Sequence, residues 1–121
     1  ADKGGHFMQH PEFSCPMEAT LSLIDGKYKT LLLWHLKDGP RRYMALQRLL
    51  PRVTPKMLTQ QLRALEEAGM IRREVIPARP PKTVYSLTPF GESLVPVLDA
   101  MCRWGRDHLD GQGVPRPCGK V

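Results

Sequence analysis

The sequence predicts a mainly α-helical α+β domain in which helices precede and follow a single β-hairpin. Before residue 70, apolar residues recur at helical spacing in segments bounded by Gly and Pro. Residues 71–87 hold two β-like runs around a proline-rich loop, and residues 89–109 form a long, strongly apolar helical stretch. These three observations place one sheet element between two groups of helices.

Length and composition indicate one small domain. The chain has 121 residues, 41% of them hydrophobic, so it can bury a small core. We expect a flexible arm over residues 1–14, a folded domain over 15–110 and a disordered tail over 111–121. No apolar run is long enough for a membrane span, and no secretory signal is visible.

The excess positive charge lies in the middle of the chain. The net charge is +6, but residues 41–86 alone hold ten Lys or Arg and three Glu, a net of +7. The remaining residues hold eight basic and nine acidic side chains, a net of −1. Such a local concentration favours contact with a polyanion over a role in general solubility.

Two helices are predicted on the N-terminal side. The first spans residues 16–24 and is closed by Gly26. Its apolar positions are Met17, Leu21 and Ile24. The second spans residues 27–37, and its Leu31–Trp34 run is too apolar for a surface face, so we expect a central core helix that stops at Asp38-Gly39-Pro40.

A helix-turn-helix is predicted next. After a very short strand at Arg41–Tyr43, a helix spans residues 44–50, and Pro51-Arg52-Val53 connects it tightly to a fourth helix at 54–69. The apolar positions of the third helix are Met44, Leu46, Leu49 and Leu50. Two helices joined by so short a turn, the second with a basic polar face, have the helix-turn-helix arrangement.

The fourth helix carries nearly every signal of a self-contained helix. Thr54 is a good N-cap, and Pro55 suits the first helical position, where its missing N–H costs nothing. Gly69 can take the left-handed conformation that ends the helix. One apolar stripe repeats at i, i+4, i+7 and consists of Leu58, Leu62 and Leu65.

The polar side of the fourth helix has the chemistry of a DNA reader. Its side chains are long or hydroxylic and can hydrogen-bond base edges and phosphates; they are Lys56, Thr59, Gln60 and Arg63. Glu66 and Glu67 lie in the last turn, away from this group. An amphipathic surface helix with a solvated face is the alternative that this helix alone does not exclude.

A basic hairpin follows. Ile71–Ile76 and Thr83–Leu87 predict two strands, and the loop between them holds three prolines and the cations Arg79 and Lys82. Directly after a helix pair, a hairpin with a rigid basic tip indicates a two-stranded β wing, so the predicted fold is a winged helix-turn-helix. An ordinary hairpin whose cations keep an edge strand soluble is the alternative.

The last predicted element is a long dimerisation helix. Thr88-Pro89 repeats the cap and first-turn pattern of the fourth helix, and we expect the helix to reach Leu109 with a bend at Pro96. Its apolar residues cover much of its circumference; they are Phe90, Leu94, Val95, Val97, Leu98, Met101, Cys102 and Trp104. We predict a homodimer through residues 89–109 with the N-terminal arm. Packing wholly onto its own core is the alternative.

Several segments also resemble the HxlR-type winged-helix transcriptional regulators, which are relatives of the MarR group. They are Cys15-Pro16, Ile24–Tyr28, Leu36–Tyr43, Thr54–Glu66, Pro80–Thr88, and Gly91 with Leu94. The resemblance covers about residues 15–108. It implies a homodimer that binds palindromic operator DNA. The chain departs conservatively from the family pattern at Asp25 and Tyr28, where Gly and Trp are common, and at Tyr43, where Phe is frequent.

The resemblance also marks Cys15 as a redox-sensing candidate, because some members of the family sense electrophiles or oxidants at this position. The positive end of a helix dipole favours a reactive thiolate there, and a small packed residue is the equally weighted alternative. A small molecule or an oxidant is thus a candidate effector. The three cysteines, Cys15, Cys102 and Cys118, have no framework spacing, which favours a reduced, cytoplasmic setting.

The sequence predicts no enzyme, cofactor or metal site. It has no Gly-rich phosphate loop, no C-x-x-C pair and no G-x-S-x-G motif. His6, His10 and Cys15 lack a fourth ligand. We predict His35 and His108 to be packing or surface residues.

The sequence therefore predicts a dimeric transcriptional regulator that binds double-stranded operator DNA. The predicted contacts are Arg52, Thr54, Lys56, Thr59, Gln60, Arg63, Arg79 and Lys82. The Lys, Thr and Gln of the fourth helix reach base edges, Arg52 and Arg63 grip phosphates, and the wing cations reach the minor groove or the backbone. A winged-helix protein-interaction module without a DNA target is the alternative, because fold alone does not settle function.

Overall fold

The computed structural model describes residues 13–109, and the fold class is the predicted one. The elements in chain order are α1 (Pro16–Leu23), α2 (Lys27–Leu36), β1 (Arg41–Arg42), α3 (Tyr43–Leu49), α4 (Pro55–Glu67), β2 (Ile71–Ile76), β3 (Lys82–Leu87), α5 (Pro89–Glu92) and α6 (Val95–Leu109). Almost all of the predicted arm, together with His6 and His10, and the whole predicted tail with Cys118 lie outside the described residues. The boundaries at 14/15 and 110/111 stay predictions.

The sheet has three antiparallel strands in the order β1-β3-β2. The hairpin pairs Ile71 with Leu87 at its base and Ile76 with Lys82 at its tip. Strand β3 therefore begins at Lys82, one residue earlier than predicted, because the ladder continues to the last pair before the loop. The very short strand expected before α3 pairs with β3 through Arg41 and Tyr85.

The core lies between α2, α4 and the base of the hairpin. Its fully buried side chains are mostly leucines and comprise Leu32, Leu33, Leu36, Leu46, Leu50, Leu58, Leu62, Leu65 and Met70. Burying one such side chain contributes about 1.5–3 kcal/mol. The prediction of α2 as a central core helix is confirmed, although Leu31 and Trp34 are only partly buried against the core.

Helix α1 turns the opposite face to the core from the one predicted. Met17 and Leu21 are exposed, whereas Ala19 and Leu23 are buried. Positions two residues apart lie about 200° apart around a helix, so these two pairs occupy opposite faces. This eight-residue helix has apolar residues on both faces, and the face with the smaller side chains, Ala19 and Leu23, packs against the core. Met44, one of the apolar positions named for α3, is likewise exposed.

The predicted terminal helix is two helices. Helix α5 ends at Glu92, and α6 begins at Val95 after a turn at Ser93 and Leu94. Pro96 has no N–H for the carbonyl of Glu92 and its ring would clash with that carbonyl, so a regular helix is strongly disfavoured at this point. The result is a break just before Pro96 in place of the predicted bend.

The end of α4 is fastened to the start of α5. The Thr88 hydroxyl donates to the Gly69 carbonyl at 2.6 Å and accepts from the Gly91 N–H at 3.1 Å. The Thr88 N–H donates to the Met70 carbonyl at 3.0 Å. Gly69 has φ +77°, which confirms the predicted left-handed end of α4. The position of α4 is thereby linked to the segment that leads into α6.

None of the helices within residues 13–109 combines the length and the apolar character that crossing a membrane would require.

Candidate nucleic-acid interface

The orientation of α4 is fixed by its cap and its buried stripe. The Thr54 side chain accepts a hydrogen bond from the Met57 N–H at 3.2 Å, and Pro55 occupies the first turn. The stripe of Leu58, Leu62 and Leu65 is buried, as predicted from its spacing. These contacts determine which side chains of α4 point away from the protein.

The outward side of α4 carries the predicted reading residues. Lys56, Gln60 and Arg63 repeat at the same i, i+4, i+7 spacing as the leucine stripe but are shifted by two residues, about 200° around the helix. All three are exposed. Thr59 is exposed too and lies on the flank that faces the sheet, where it lines a cleft. The helix thus presents ammonium, amide and guanidinium groups outward in one row, with the Thr59 hydroxyl beside that row.

Tyr43 contacts the first turns of α4 through its hydroxyl. Its hydroxyl donates to the Pro55 carbonyl at 3.3 Å and lies 3.4 Å from the Thr59 hydroxyl. From the sequence, Tyr43 was predicted as the end of a short strand and noted as a position where Phe is frequent in the family, with no contact to α4 expected. Its support of α4 depends on a hydrogen bond to a residue twelve positions further along the chain. The only signal in the sequence is a Tyr at the start of α3 together with a Thr on α4.

A cleft of about 450 Å³ separates α4 from the sheet. It is lined by Tyr43, Thr59, Arg63, Glu66, Arg73, Thr83 and Tyr85. Arg73 and Thr83 were not among the predicted contacts, because a strand residue can be assigned to a face only once the register is known. Glu66 was expected to lie away from the polar row, but it shares this cleft with Arg63.

A second cleft of about 400 Å³ lies on the other flank of α4, against α1 and α2. It is lined by Ser22, Leu23, Lys29, Gln60, Arg63, Ala64, Glu67 and Ala68. Lys29 was also absent from the predicted contacts. Arg63 lines both clefts and therefore forms the ridge between them.

The remaining predicted contacts lie on exposed turns. Arg52 is exposed in the turn between α3 and α4, where the Gln47 side chain donates to the Val53 carbonyl at 2.7 Å and anchors the turn. Arg79 lies in the exposed loop between β2 and β3, and Lys82 lies at the tip of β3. The wing cations are therefore separated from α4 along the length of the hairpin.

The cations of this surface keep their charge available for a ligand. Within residues 13–109 the ion pair that the structure records is Lys37 with Asp38 at 3.0 Å. None of the predicted DNA-contacting cations is thus neutralised by an acid in the described part of the chain. An anionic ligand would meet unpaired ammonium and guanidinium groups, which favours binding of phosphates.

Cys15 lies apart from this surface, at the N-cap of α1. It is exposed and its side chain makes no capping hydrogen bond. The next residue toward the N-terminus, Ser14, donates its backbone N–H and its hydroxyl to the Glu18 carboxylate, and these two bonds lower the pKa of Glu18 below its usual 4.5. Cys15 is exposed among the described residues, and its sensing role and its packing role both stay predictions.

The comparisons with known proteins agree with this geometry. A family model described as HxlR-like helix-turn-helix matches residues 23–112. An uncharacterized HTH-type transcriptional regulator from Methanothermobacter thermautotrophicus is 42% identical over 116 residues, 93% of this chain and 88% of that protein. The redox regulator HypR in its oxidized form is 46% identical, with a TM-score of 0.75 over 79% of this chain and 99% of that one. A MarR-family transcriptional regulator from Porphyromonas gingivalis W83 is 31% identical, with a TM-score of 0.77 over 84% of this chain and 99% of that one.

Proposed function

The chain belongs to the HxlR-like helix-turn-helix family and is a DNA-binding transcriptional regulator, and on this premise we propose that it acts as a homodimer that recognises a symmetric operator through α4. The observation that carries the proposal is the outward row of Lys56, Gln60 and Arg63, held opposite a buried leucine stripe and unpaired with any described acid. It acts by binding, without a catalytic step, and in the compartment that holds the DNA, the cytoplasm.

Base recognition is assigned to the N-terminal half of α4. Residues at this end of a recognition helix reach base edges in the major groove. The Gln60 amide can form two hydrogen bonds to adenine, and the Lys56 ammonium can bind guanine. Because the Tyr43 proton is directed at the Pro55 carbonyl, the Thr59 hydroxyl donates to Tyr43 and remains free to accept a hydrogen bond from a base. Thr54 already uses its hydroxyl as a cap acceptor, so only its proton remains for a phosphate.

Backbone contacts are assigned to the cations around this row. Arg63 and Arg52 lie on α4 and in the turn before it, where they can meet phosphates. Arg79 and Lys82 lie on the wing and can reach the flanking backbone or the minor groove. Contacts of this kind fix the register of the protein on the duplex without reading sequence.

The homodimer is assigned to α6. Val97, Met101 and Trp104 are 45%, 50% and 57% exposed and lie along one side of the helix, while Leu98 packs into the core. One side of α6 packs onto its own domain, and the exposed apolar side supports the proposal that a second copy packs there. A two-fold dimer would place two copies of α4 about 10 bp apart, or a multiple of this spacing. The contribution of the arm lies outside the described residues.

The decisive experiment is selection of bound duplexes from a random library. We expect an inverted repeat, and we expect Gln60→Ala to relax the preference at one position of each half-site at a cost of about 1–3 kcal/mol. Gln61→Ala is the matched control, because Gln61 is a partly buried neighbour outside the outward row. Failure to enrich any sequence, or an equal effect of both substitutions, would contradict the assignment of α4.

Redox sensing through Cys15 is a second layer of the proposed function. It is supported by the exposure of Cys15 at a helix start and by the similarity to the redox regulator HypR. We expect an oxidant to change operator affinity in the wild-type protein and not in Cys15→Ser. Cys102→Ser is the control, because Cys102 is partly buried. Unchanged oxidant sensitivity in Cys15→Ser would exclude this role.

A further inference from the structure

Helix α4 is flanked by two clefts of similar size and similar charge. The sheet-side cleft holds Arg63 and Arg73 with one acid, Glu66. The helix-side cleft holds Arg63 and Lys29 with one acid, Glu67. Each cleft thus presents two cations and one carboxylate, and Arg63 belongs to both. This arrangement repeats the same chemistry on the two sides of a single helix.

The width of the DNA major groove suggests a function for two similar clefts on either side of one helix. An α-helix with its side chains is about 10–12 Å across, and the major groove of B-DNA is about 12 Å wide. A helix lying in the groove therefore fills it and has one sugar–phosphate strand on either side. Concave spaces beside the helix are the places where those two strands pass closest to the protein.

We propose that the two clefts seat the two opposite strands of the major groove, with Arg73 holding a phosphate of one strand and Lys29 a phosphate of the other. The proposal rests on the proposed function, because it requires α4 to lie in the groove. It adds two contact residues that belong to neither the predicted reading row nor the wing tip. It also assigns Arg73 to one DNA strand and Lys29 to the other.

The register of the hairpin directs Arg73 into its cleft. Arg73 pairs directly with Tyr85 across β2 and β3, so the two side chains share a face of the sheet. Thr83 lies two residues from Tyr85 and is on that face too. Arg72 is exposed but pairs with Ser86, which places it on the opposite face. Of these two adjacent arginines, only Arg73 can meet a phosphate beside α4.

Lys29 is the only described residue of the helix-side wall that can supply a cation besides Arg63. The Ser22 hydroxyl in the same cleft donates to the Ala19 carbonyl at 2.7 Å, so its proton is already used. Lys27, two residues before Lys29, is exposed and lies 5.5 Å from the centre of the Tyr28 ring, outside the cleft. The phosphate on this side therefore depends on Lys29 and Arg63.

The acidic residue in each cleft affects where a DNA strand can lie in that cleft. Glu66 and Glu67 belong to the C-terminal turn of α4, so each carboxylate lies in the part of its cleft that is nearest the end of the helix. A phosphate is repelled from that end and attracted by the cations of the rest of the cleft. Both strands are thereby shifted toward the N-terminal half of α4, the half that carries the reading residues.

The test combines phosphate-ethylation interference with salt titration on a duplex that the wild-type protein selects. We expect Arg73→Ala to remove an interference signal on one strand of each half-site and Lys29→Ala to remove one on the other strand. Each variant should flatten the slope of log affinity against log salt by about 0.9 per half-site. When salt is raised from 50 to 200 mM, the fold-loss of affinity of each variant should be about 3.5 times smaller per half-site than that of the wild-type protein.

Matched controls separate a phosphate contact from a general loss of charge. Arg72→Ala and Lys27→Ala remove the same charges from neighbouring positions and should leave the pattern and the slope unchanged. Arg73→Lys keeps the charge and should restore most of the slope, which a packing role of the guanidinium would not allow. Loss of signals on the same strand in both variants, or equal effects of Arg72→Ala and Arg73→Ala, would overturn the proposal. A wild-type protein that selects no duplex would instead contradict DNA recognition by α4 itself.

Discussion

Gly91 leaves no room for a side chain at the junction of α4 and α5. A Cβ atom built at this position would lie 2.1 Å from the Met70 carbonyl oxygen, a backbone atom that cannot rotate away. That carbonyl also accepts the Thr88 N–H, so moving it would break the hydrogen bond that fastens the two helices. We expect Gly91→Ala to lower the free energy of unfolding by roughly 2–3 kcal/mol, measured by urea denaturation.

Gly105 supplies the control for this prediction. It lies inside α6, and a Cβ atom there would have nothing within 4 Å. Gly105→Ala should therefore raise the free energy of unfolding by up to about 1 kcal/mol through helix propensity. Equal destabilisation by both substitutions would show that the close approach at Met70 is not what makes Gly91 necessary.

Residues were predictable from the sequence where their role is local. Thr54 and Gly69 act within a few residues of themselves, and both predictions are confirmed. Gly91 packs against Met70, and Lys29 and Arg73 line clefts with α4 residues that are distant in sequence, so no pattern along the chain could assign them. The outward row of α4, which we propose to contact DNA, was predictable because a leucine stripe at helical spacing defines its own opposite side.

At the scale of elements, α4 depends on its first turn. The Thr54 hydroxyl satisfies one of the backbone N–H groups that an α-helix leaves unpaired at its start. We expect Thr54→Ala to lower the free energy of unfolding by about 1 kcal/mol, while Thr54→Ser keeps the hydroxyl and should retain most of it. Thermal unfolding of both variants measures the difference, and indistinguishable stabilities would contradict the capping role.

The elements that were predicted wrongly are those with weak or conflicting signals. Helix α1 has apolar residues on both faces, so its spacing could not decide whether Met17 and Leu21 or Ala19 and Leu23 would be buried. The break between α5 and α6 depends on Pro96, which the sequence marks clearly but which a bent helix could also have accommodated. In contrast, α4 and the hairpin carry consistent caps, periodicity and turn residues, and their boundaries agree with the structure within a residue or two.

At the scale of the whole molecule, the fastening of α4 to α5 connects DNA recognition to α6. Thr88 contacts Gly69 and Met70 at the end of α4 and caps α5 through Gly91. A partner bound along α6 would therefore fix the position of both copies of α4 through short, hydrogen-bonded connections. The proposed dimer and the proposed operator symmetry thus depend on the same segment of the chain.

The exposed side of α6 provides the test of that dependence. Trp104 stacks on His108 with ring centroids 4.8 Å apart and stays largely exposed, so its loss should leave the protomer folded. A buried Trp at an interface contributes about 2 kcal/mol or more, and a two-fold interface contains it twice. We expect Trp104→Ala to weaken the dimer by about 4 kcal/mol, or roughly 1,000-fold in its dissociation constant.

Sedimentation equilibrium on Trp104→Ala and Asp107→Ala measures this change. Asp107 is exposed on α6 outside the apolar side, so its substitution should leave the dimer intact. Because each protomer carries one complete α4, the Trp104→Ala protein should still bind a single half-site weakly, with loss of the joint recognition of two half-sites. A wild-type protein that sediments as a monomer, or a Trp104→Ala protein that sediments like the wild type, would exclude α6 as the interface and require another surface to place the second copy of α4.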